Sequence, residues 1–255
     1  MSVTLTITKQ KVATLTIERS EVHNAFDAHT IAQLIQQIEY ANTLDIRALV
    51  LKGEGKHFSA GADLNWMKSM VSNTFEDNVA DSMELARLMQ VLFETKVPTL
   101  CLVQGAAFGG ALGLIACCDI AVANEKAKFC LSEVKLGLIP AVISPYVINA
   151  IGERQARRYF QTAEVFFADK ALALGLVHEV SDSPEDTLDT LLHAILQNGP
   201  EATKQAKQLI CDVANKSIDN DLRQLTAERI AQIRVSDEGQ EGLQAFFDKR
   251  KPSWQ

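Results

Sequence analysis

Apolar runs too short for helices, each closed by a glycine turn and followed by a helical pattern, constrain this chain more than any other feature. Ala48–Leu51 ends at Gly53-Glu-Gly55, and Val97-Pro-Thr-Leu-Cys-Leu-Val103 leads into Gly105–Gly110. Such runs read as buried strands. Ile31, Leu34, Ile35 and Ile38 follow a 3.6-residue period behind Asp27 as N-cap, and Leu85, Leu88, Met89 and Leu92 mark a second helix. Strands alternating with helices point to parallel β/α units.

The chain opens with two alternating strands, Val3–Thr8 and Val12–Ile17, around a polar Lys9–Lys11 turn. Gly105–Gly110 turns into an apolar helix, Ala111–Cys117. Asp119–Ala123 is the next strand, and Lys128–Leu131 is a short one before Glu133. From about residue 184 the pattern is helical, with a stripe at Leu188, Leu191, Leu192 and Ile195 and a break at Gly199-Pro200. Further helices are expected over Glu201–Asn215, Asp219–Arg234 and Glu238–Arg250. The fold class is α/β, with a core over residues 1–195 and a helical region over 196–255 that packs on its own core or on a neighbour.

Composition bounds the function. Hydrophobic residues make up 47% and charged residues 22%, so 255 residues can bury a sizeable core and disorder is excluded. A net charge of −7 argues against general nucleic-acid binding, which needs clustered cations, yet leaves room for a few local cations around an anionic ligand. No apolar run reaches the roughly 20 residues of a membrane helix. The start, MSVTLTITKQ, lacks the basic and apolar regions of a secretory signal. Cys101, Cys117, Cys118, Cys130 and Cys211 are odd in number, form no CxxC and mostly sit in apolar runs. They read as reduced core thiols, and the expected location is cytoplasmic.

Two glycine-rich turns carry the first chemical signal: Ser59-Ala-Gly-Ala-Asp63 and Gly105-Ala-Ala-Phe-Gly-Gly110. Small residues let a ligand approach the backbone, and N–H groups from two loops converging on one oxygen form an oxyanion hole. The plain alternative is two structural turns. Neither GxGxxG nor GK[ST] is present, so nucleotide-phosphate loops are excluded. Glu133 stands in the apolar stretch Phe129-Cys-Leu-Ser-Glu-Val134, where a carboxylate is costly unless paired or used. Its alternative is an edge residue facing solvent. Asp63 reads equally as a helix cap. His23, His29, His57, His178 and His193 are dispersed and form neither HExxH nor a triad, so no metal is expected. Trp66, Met67 and Met70 can pack in a core or wall a flexible apolar pocket. Phe246 and Lys249-Arg-Lys251 form either a solvated helix end or a hold on a phosphate-bearing ligand.

Taken together, the segments resemble the crotonase (enoyl-CoA hydratase/isomerase) superfamily nearly end to end. The resemblance rests on His57-Phe-Ser-Ala-Gly-Ala-Asp63, Val103-Gln-Gly-Ala-Ala-Phe-Gly-Gly110, Cys118-Asp-Ile-Ala-Val-Ala123, Leu136-Gly-Leu-Ile-Pro140 and Glu241–Lys251, in that order. Ala60-Gly-Ala-Asp-Leu-Asn-Trp-Met67 and Cys130–Pro145 are similar in wording to bacterial methylglutaconyl-CoA and γ-carboxygeranoyl-CoA hydratases. The resemblance implies a spiral of ββα turns with a C-terminal trimerisation region, a homotrimer or dimer of trimers, and an acyl-CoA thioester substrate. No cofactor is implied, because coenzyme A is part of the substrate.

By the same resemblance, the Ala62 and Gly110 N–H groups bind the thioester oxygen and Glu133 is the catalytic carboxylate. Val22, Ala60, Gly61 and Asp63 belong to the expected CoA-contacting set. Phe246 and Lys249 match residues that reach the CoA nucleotide, often in a neighbouring subunit. One departure matters. Two-glutamate hydratases have their other glutamate where this chain has Gly113, and a Gly-Gly-Thr-Gln stretch where it has Ala141-Val-Ile-Ser-Pro145. Gly113 is expected to leave room for acyl substrate or a water. The readings that follow are hydration of a 2-enoyl-CoA, of a branched acyl group such as methylglutaconyl, or isomerisation of an enoyl-CoA by a single base. A non-catalytic CoA- or RNA-binding protein is the reading from another class. Lys68 and Lys135 are the cations nearest the motifs for a carboxylated acyl tail.

Overall fold

The computed structural model describes residues 2–255. In chain order the main elements are β1 (Val3–Ile7), β2 (Val12–Ile17), α1 (Ala28–Thr43), β3 (Ala48–Gly53), α2 (Leu64–Met70), α3 (Phe75–Phe93), β4 (Thr99–Val103), β5 (Ala106–Phe108) and α4 (Ala111–Cys117). There follow β6 (Ile120–Asn124), β7 (Lys128–Cys130), α5 (Ser144–Ile151), α6 (Glu153–Thr162), β8 (Phe166–Phe167), α7 (Ala168–Leu174) and β9 (Glu179–Ser181). The chain closes with α8 (Pro184–Leu196), α9 (Pro200–Val213), α10 (Asn220–Val235) and α11 (Asp237–Phe247).

The main sheet runs β1-β2-β3-β4-β6-β9. Only β1 is antiparallel to its neighbour; every later pairing is parallel. Alternation along the strands sorts side chains to two faces. Leu15, Leu49, Leu51, Cys101 and Ala121 join the large core beneath α1, α3 and α4. Val12, Val50, Leu100, Leu102 and Val122 face the other way, onto the Leu188–Leu191–Leu192–Ile195 stripe of α8. Both faces are covered, which is why the strands read as continuous apolar runs.

A second, smaller sheet, β5-β7-β8, stands beyond the C-terminal ends of β3, β4 and β6. Its first strand corrects the reading of Gly105–Gly110 as a simple turn. Ala106–Phe108 pairs in parallel with Lys128–Cys130, and Ala107 bridges to Ser59. The C-terminal helix also ends earlier than expected. Lys249 adopts φ 55°, and the Lys249 and Arg250 N–H groups donate to Phe246 and Ala245 carbonyls, a Schellman closure. Asp119 lies just before β6 instead of within it, bonding Thr99 and pairing with Lys207 of α9 at 2.7 Å.

Candidate active site

The loop after β3 and the turn after β5 are laid side by side by backbone hydrogen bonds. Phe26 N–H donates to the Gly61 carbonyl at 2.9 Å, and Asp63 N–H donates to the Phe26 carbonyl at 3.0 Å. Ala60 N–H donates to His23, Gly61 N–H to Ser59 Oγ, Phe108 N–H to Ser59 and Gly109 N–H to Cys130. Two amides in this set have no acceptor among the described residues: Ala62 and Gly110. Gly61 has φ +89°, and a methyl there would stand 2.7 Å from the Phe108 carbonyl oxygen, so the two loops meet at a glycine. Gly110 is the N-cap of α4 and brings no side-chain cap; the Leu112 and Gly113 N–H groups donate to the Gly109 and Gly110 carbonyls, while the Gly110 N–H stays without an acceptor among the described residues.

Glu133 opens a short 3-10 turn directly after β7. Its Oε1 packs on Gly109, where an added methyl would lie only 3.2 Å away. Its Oε2 is buried without a hydrogen-bond partner. Burial raises its pKa above the usual glutamate value, and one backbone hydrogen bond opposes that only in part. A half-buried, unpaired carboxylate excludes the reading of Glu133 as an edge residue facing solvent.

Ala62, Gly110 and Glu133 line one cavity of about 1080 Å³. Trp66, Met67 and Met70 wall it, together with Leu138, Ile139 and Ile143 from the stretch after Glu133. Apart from Glu133, the side chains that bring polar atoms to the lining are Trp66, Lys68, Asn78 and Ser82. Lys135 is absent from this lining and stands 4.0 Å from Cys130 Sγ. The expected space at Gly113 is not there. A methyl on Gly113 would sit 2.3 Å from Ile143 Cγ2 and 3.0 Å from Met89 Sδ. The two departures noted in the sequence are therefore one feature: Ile143, from the altered stretch, fills the place beside the altered helix position.

The remaining expected residues are spread. Ala60 and Gly61 shape the loop through their backbone bonds. The Asp63 carboxylate is turned to structure: it caps α2 through the Asn65 and Trp66 N–H groups and pairs with Arg19 at 3.0 Å. Val22 lies in a 3-10 turn, its carbonyl accepting from Ala25 N–H. Phe246 is 78% exposed, and neither it nor Lys249 lines the cavity of its own chain. Sequence reasoning missed Phe26, Arg19 and Ile143. Phe26 and Ile143 line the cavity, while Arg19 pairs with Asp63 and, at 3.3 Å, with Asp27. For Ile143 the signal was the altered Ala141–Pro145 stretch that contains it; for Phe26 and Arg19 no local pattern stood out.

Two acceptor-free backbone donors and one carboxylate with a partnerless Oε2 on an apolar cavity are the groups that oxyanion-hole and single-base chemistry would call on. Among the described residues, no cluster of three or more His, Cys, Asp or Glu is placed to hold a metal ion, and no helix is long and apolar enough to cross a membrane.

A family profile described as Enoyl-CoA hydratase/isomerase matches residues 7–255. The chain is 32% identical to the short-chain-enoyl-CoA hydratase of Clostridium acetobutylicum, with 94% of this chain and 93% of that protein covered. It is 52% identical to an enoyl-CoA hydratase of Shewanella pealeana of solved structure, with a TM-score of 0.97 over 100% of this chain and 96% of the other. AtuE of Pseudomonas aeruginosa is 31% identical, with a TM-score of 0.95 over 100% and 99% of the two chains. The chain belongs to the enoyl-CoA hydratase/isomerase family, in the crotonase superfamily. It is an enzyme of the enoyl-CoA hydratase/isomerase type.

Proposed function

We propose that this chain adds water across the double bond of a 2-enoyl-CoA thioester, using the Ala62 and Gly110 N–H groups as the oxyanion hole and Glu133 as the single catalytic carboxylate. The observation that carries this reading is the sharing of one apolar cavity by two acceptor-free amides and an unpaired carboxylate. The thioester oxygen accepts from both amides, which makes Cβ electrophilic. Glu133 takes a proton from water as its oxygen bonds to Cβ. The π electrons move toward the thioester, and the enolate oxygen bears charge that the two N–H groups stabilise. Protonated Glu133 then returns a proton to Cα, so water's atoms are all accounted for and the base is regenerated.

A second reading is favoured by one observation. With Ile143 filling the place beside Gly113, Glu133 is, among the described residues, the only carboxylate in the cavity lining. One base that removes a proton at one carbon and returns it at another suffices to move a double bond from β,γ to α,β. Incubation with 2-enoyl- and 3-enoyl-CoA thioesters separates the two. Loss of the conjugated absorbance with a mass gain of one water supports hydration. An unchanged mass with a new conjugated absorbance from the 3-enoyl substrate supports isomerisation. No reaction with any enoyl thioester would overturn both.

The finer proposal is a branched acyl group ending in a carboxylate, such as methylglutaconyl, with Lys68 on the cavity lining as its cation. Residues 196–255 are proposed as the oligomerisation region of a homotrimer or dimer of trimers in the cytoplasm. Phe246 and Lys249, exposed and away from their own cavity, would then reach the CoA of a neighbouring subunit.

A further inference from the structure

An oxyanion hole made from two loops works only if both donors reach the same oxygen, about 2.7–3.1 Å away. Something must fix the distance between the loops. Ser59 joins the two loops at their base, its N–H donating to the Ala106 carbonyl and its carbonyl accepting from Phe108 N–H, and Phe26 adds a contact at the donors themselves. Its N–H and carbonyl bond Gly61 and Asp63, the two neighbours of Ala62, so Ala62 is bracketed from both sides. Its ring lies on the other loop: a Cβ built on Gly110 would meet Phe26 Cζ at 2.9 Å and Cε2 at 3.2 Å.

Gly110 itself has φ −53° and ψ −20°, ordinary right-handed helical geometry. Any residue adopts that conformation, so backbone geometry does not require glycine here, unlike at Gly61 and Gly109, whose φ values are +89° and +53°. What excludes a side chain at Gly110 is the Phe26 ring.

The ring is rigidly seated. Phe26 is 1% exposed. Arg19 donates to the Ala25 carbonyl and pairs with Asp63, tying the residue before Phe26 to the residue after Ala62. Asn24 accepts from Arg19 N–H and donates to the His57 and Glu54 carbonyls.

We infer that Phe26 is a positioning residue that sets the separation of the Ala62 and Gly110 donors, with the Arg19–Asp63 pair as its anchor. The inference rests on the oxyanion-hole reading above. Its test uses the intact enzyme and a cinnamoyl-CoA thioester, whose conjugated absorbance shifts to longer wavelength when its carbonyl is polarised by two donors.

Loss of one donor costs about 10²–10³ in rate, so Phe26→Leu, which loosens the gap without removing a donor, should lower kcat by about 10–10². It should also shrink the absorbance shift at saturation, while KM changes little. Phe26→Met, similar in volume to leucine but unbranched and better able to fill an irregular gap, replaces it if the leucine variant does not fold. Gly110→Ala should be severely impaired in the parent, and should cost several-fold less in the Phe26→Leu background, where the ring no longer blocks the methyl. A merely structural Phe26 would lower the melting temperature with parent kcat and parent absorbance shift, and that result overturns the inference. A parent enzyme that polarises no bound thioester would overturn the oxyanion reading itself, and this inference with it.

Discussion

The two sides of the cavity are built differently. On the reacting side, bonds join residues far apart in sequence: Phe26 to Gly61 and Asp63, Ser59 to Phe108, Cys130 to Gly109. Phe58 and Ser59 there are fully buried. On the acyl wall the bonds are local, such as Ala141 N–H to Ile139 and Ser144 N–H to Ala141. That wall leaves Leu64, Val71 and Ile139 more than 70% exposed. The long-range bonding holds the reacting side in one arrangement, as the proposed preorganised hole requires. The wall holds apolar surface that gains about 25 cal/mol per Å² only when an acyl chain covers it. Chemistry and acyl preference should accordingly respond to different substitutions.

The largest expected effect lies on the fixed side. Glu133→Gln keeps shape and removes the base, so kcat should fall by about 10²–10⁴ for every acyl group tested. CoA binding, measured by calorimetry, should stay near that of the parent, because the base acts mainly in the transition state. If the Gln variant turns over any enoyl thioester at the parent rate, Glu133 is the wrong residue.

Gly113→Glu tests the boundary between the two sides. Its Cβ alone would lie 2.3 Å and 2.8 Å from Ile143 atoms. Overpacking of this kind costs about 1–3 kcal/mol, and an added buried carboxylate costs more. Urea denaturation should show the loss, with part of it recovered by Ile143→Ala. A stable Gly113→Glu protein would show that the cavity wall is looser than its packing indicates.

A smaller effect follows from the raised pKa of Glu133. As the proposed base, Glu133 must be ionised, so the parent's kcat should fall as pH drops through a value above that of ordinary glutamate. The stability sign is the opposite. A carboxyl group whose folded pKa is raised favours folding at pH below the unfolded value and loses that contribution as pH rises through the folded value. Glu133→Gln suffers no such loss. It should therefore melt slightly higher than the parent at neutral pH, with the difference vanishing in acid. Equal melting temperatures across the range would mean the carboxylate is better solvated than its unpaired Oε2 implies.

This division also explains what was legible in the sequence. Leu49 and Leu100 alternate with neighbours that face opposite sides of a covered sheet, so β3 and β4 announced themselves by local pattern. The α8 stripe did the same. The loops carrying Ala62 and Gly110 were visible as glycine turns, but periodicity alone left them as turns; the family resemblance supplied the pairing. The contacts of Phe26 and Ile143 were invisible because each acts on a residue distant in the chain, Gly110 and Gly113, and no local pattern records which glycine a ring or branched side chain rests on. The three-residue β5 was hidden for a related reason: its pairing partners lie at Lys128–Cys130 and Ser59.

The smallest expected effect belongs to the wall. Lys68 lines the cavity from α2, exposed and outside the ion pairs formed among the described residues. An exposed ion pair contributes about 0–1 kcal/mol, so Lys68→Ala should lower kcat/KM for a carboxylated acyl thioester by roughly fivefold at most. The matching neutral acyl thioester should be almost unaffected. Because the pair would form in contact with solvent, the preference should fade as ionic strength rises and the Debye length shrinks. The comparison needs both thioesters at two salt concentrations, with the ratio of their kcat/KM values as the readout. An unchanged ratio would remove Lys68 as the acyl-tail cation and leave the wall selecting by apolar shape alone. A loss equal for both thioesters would move Lys68 to the fixed side, among the residues that hold the hole in place.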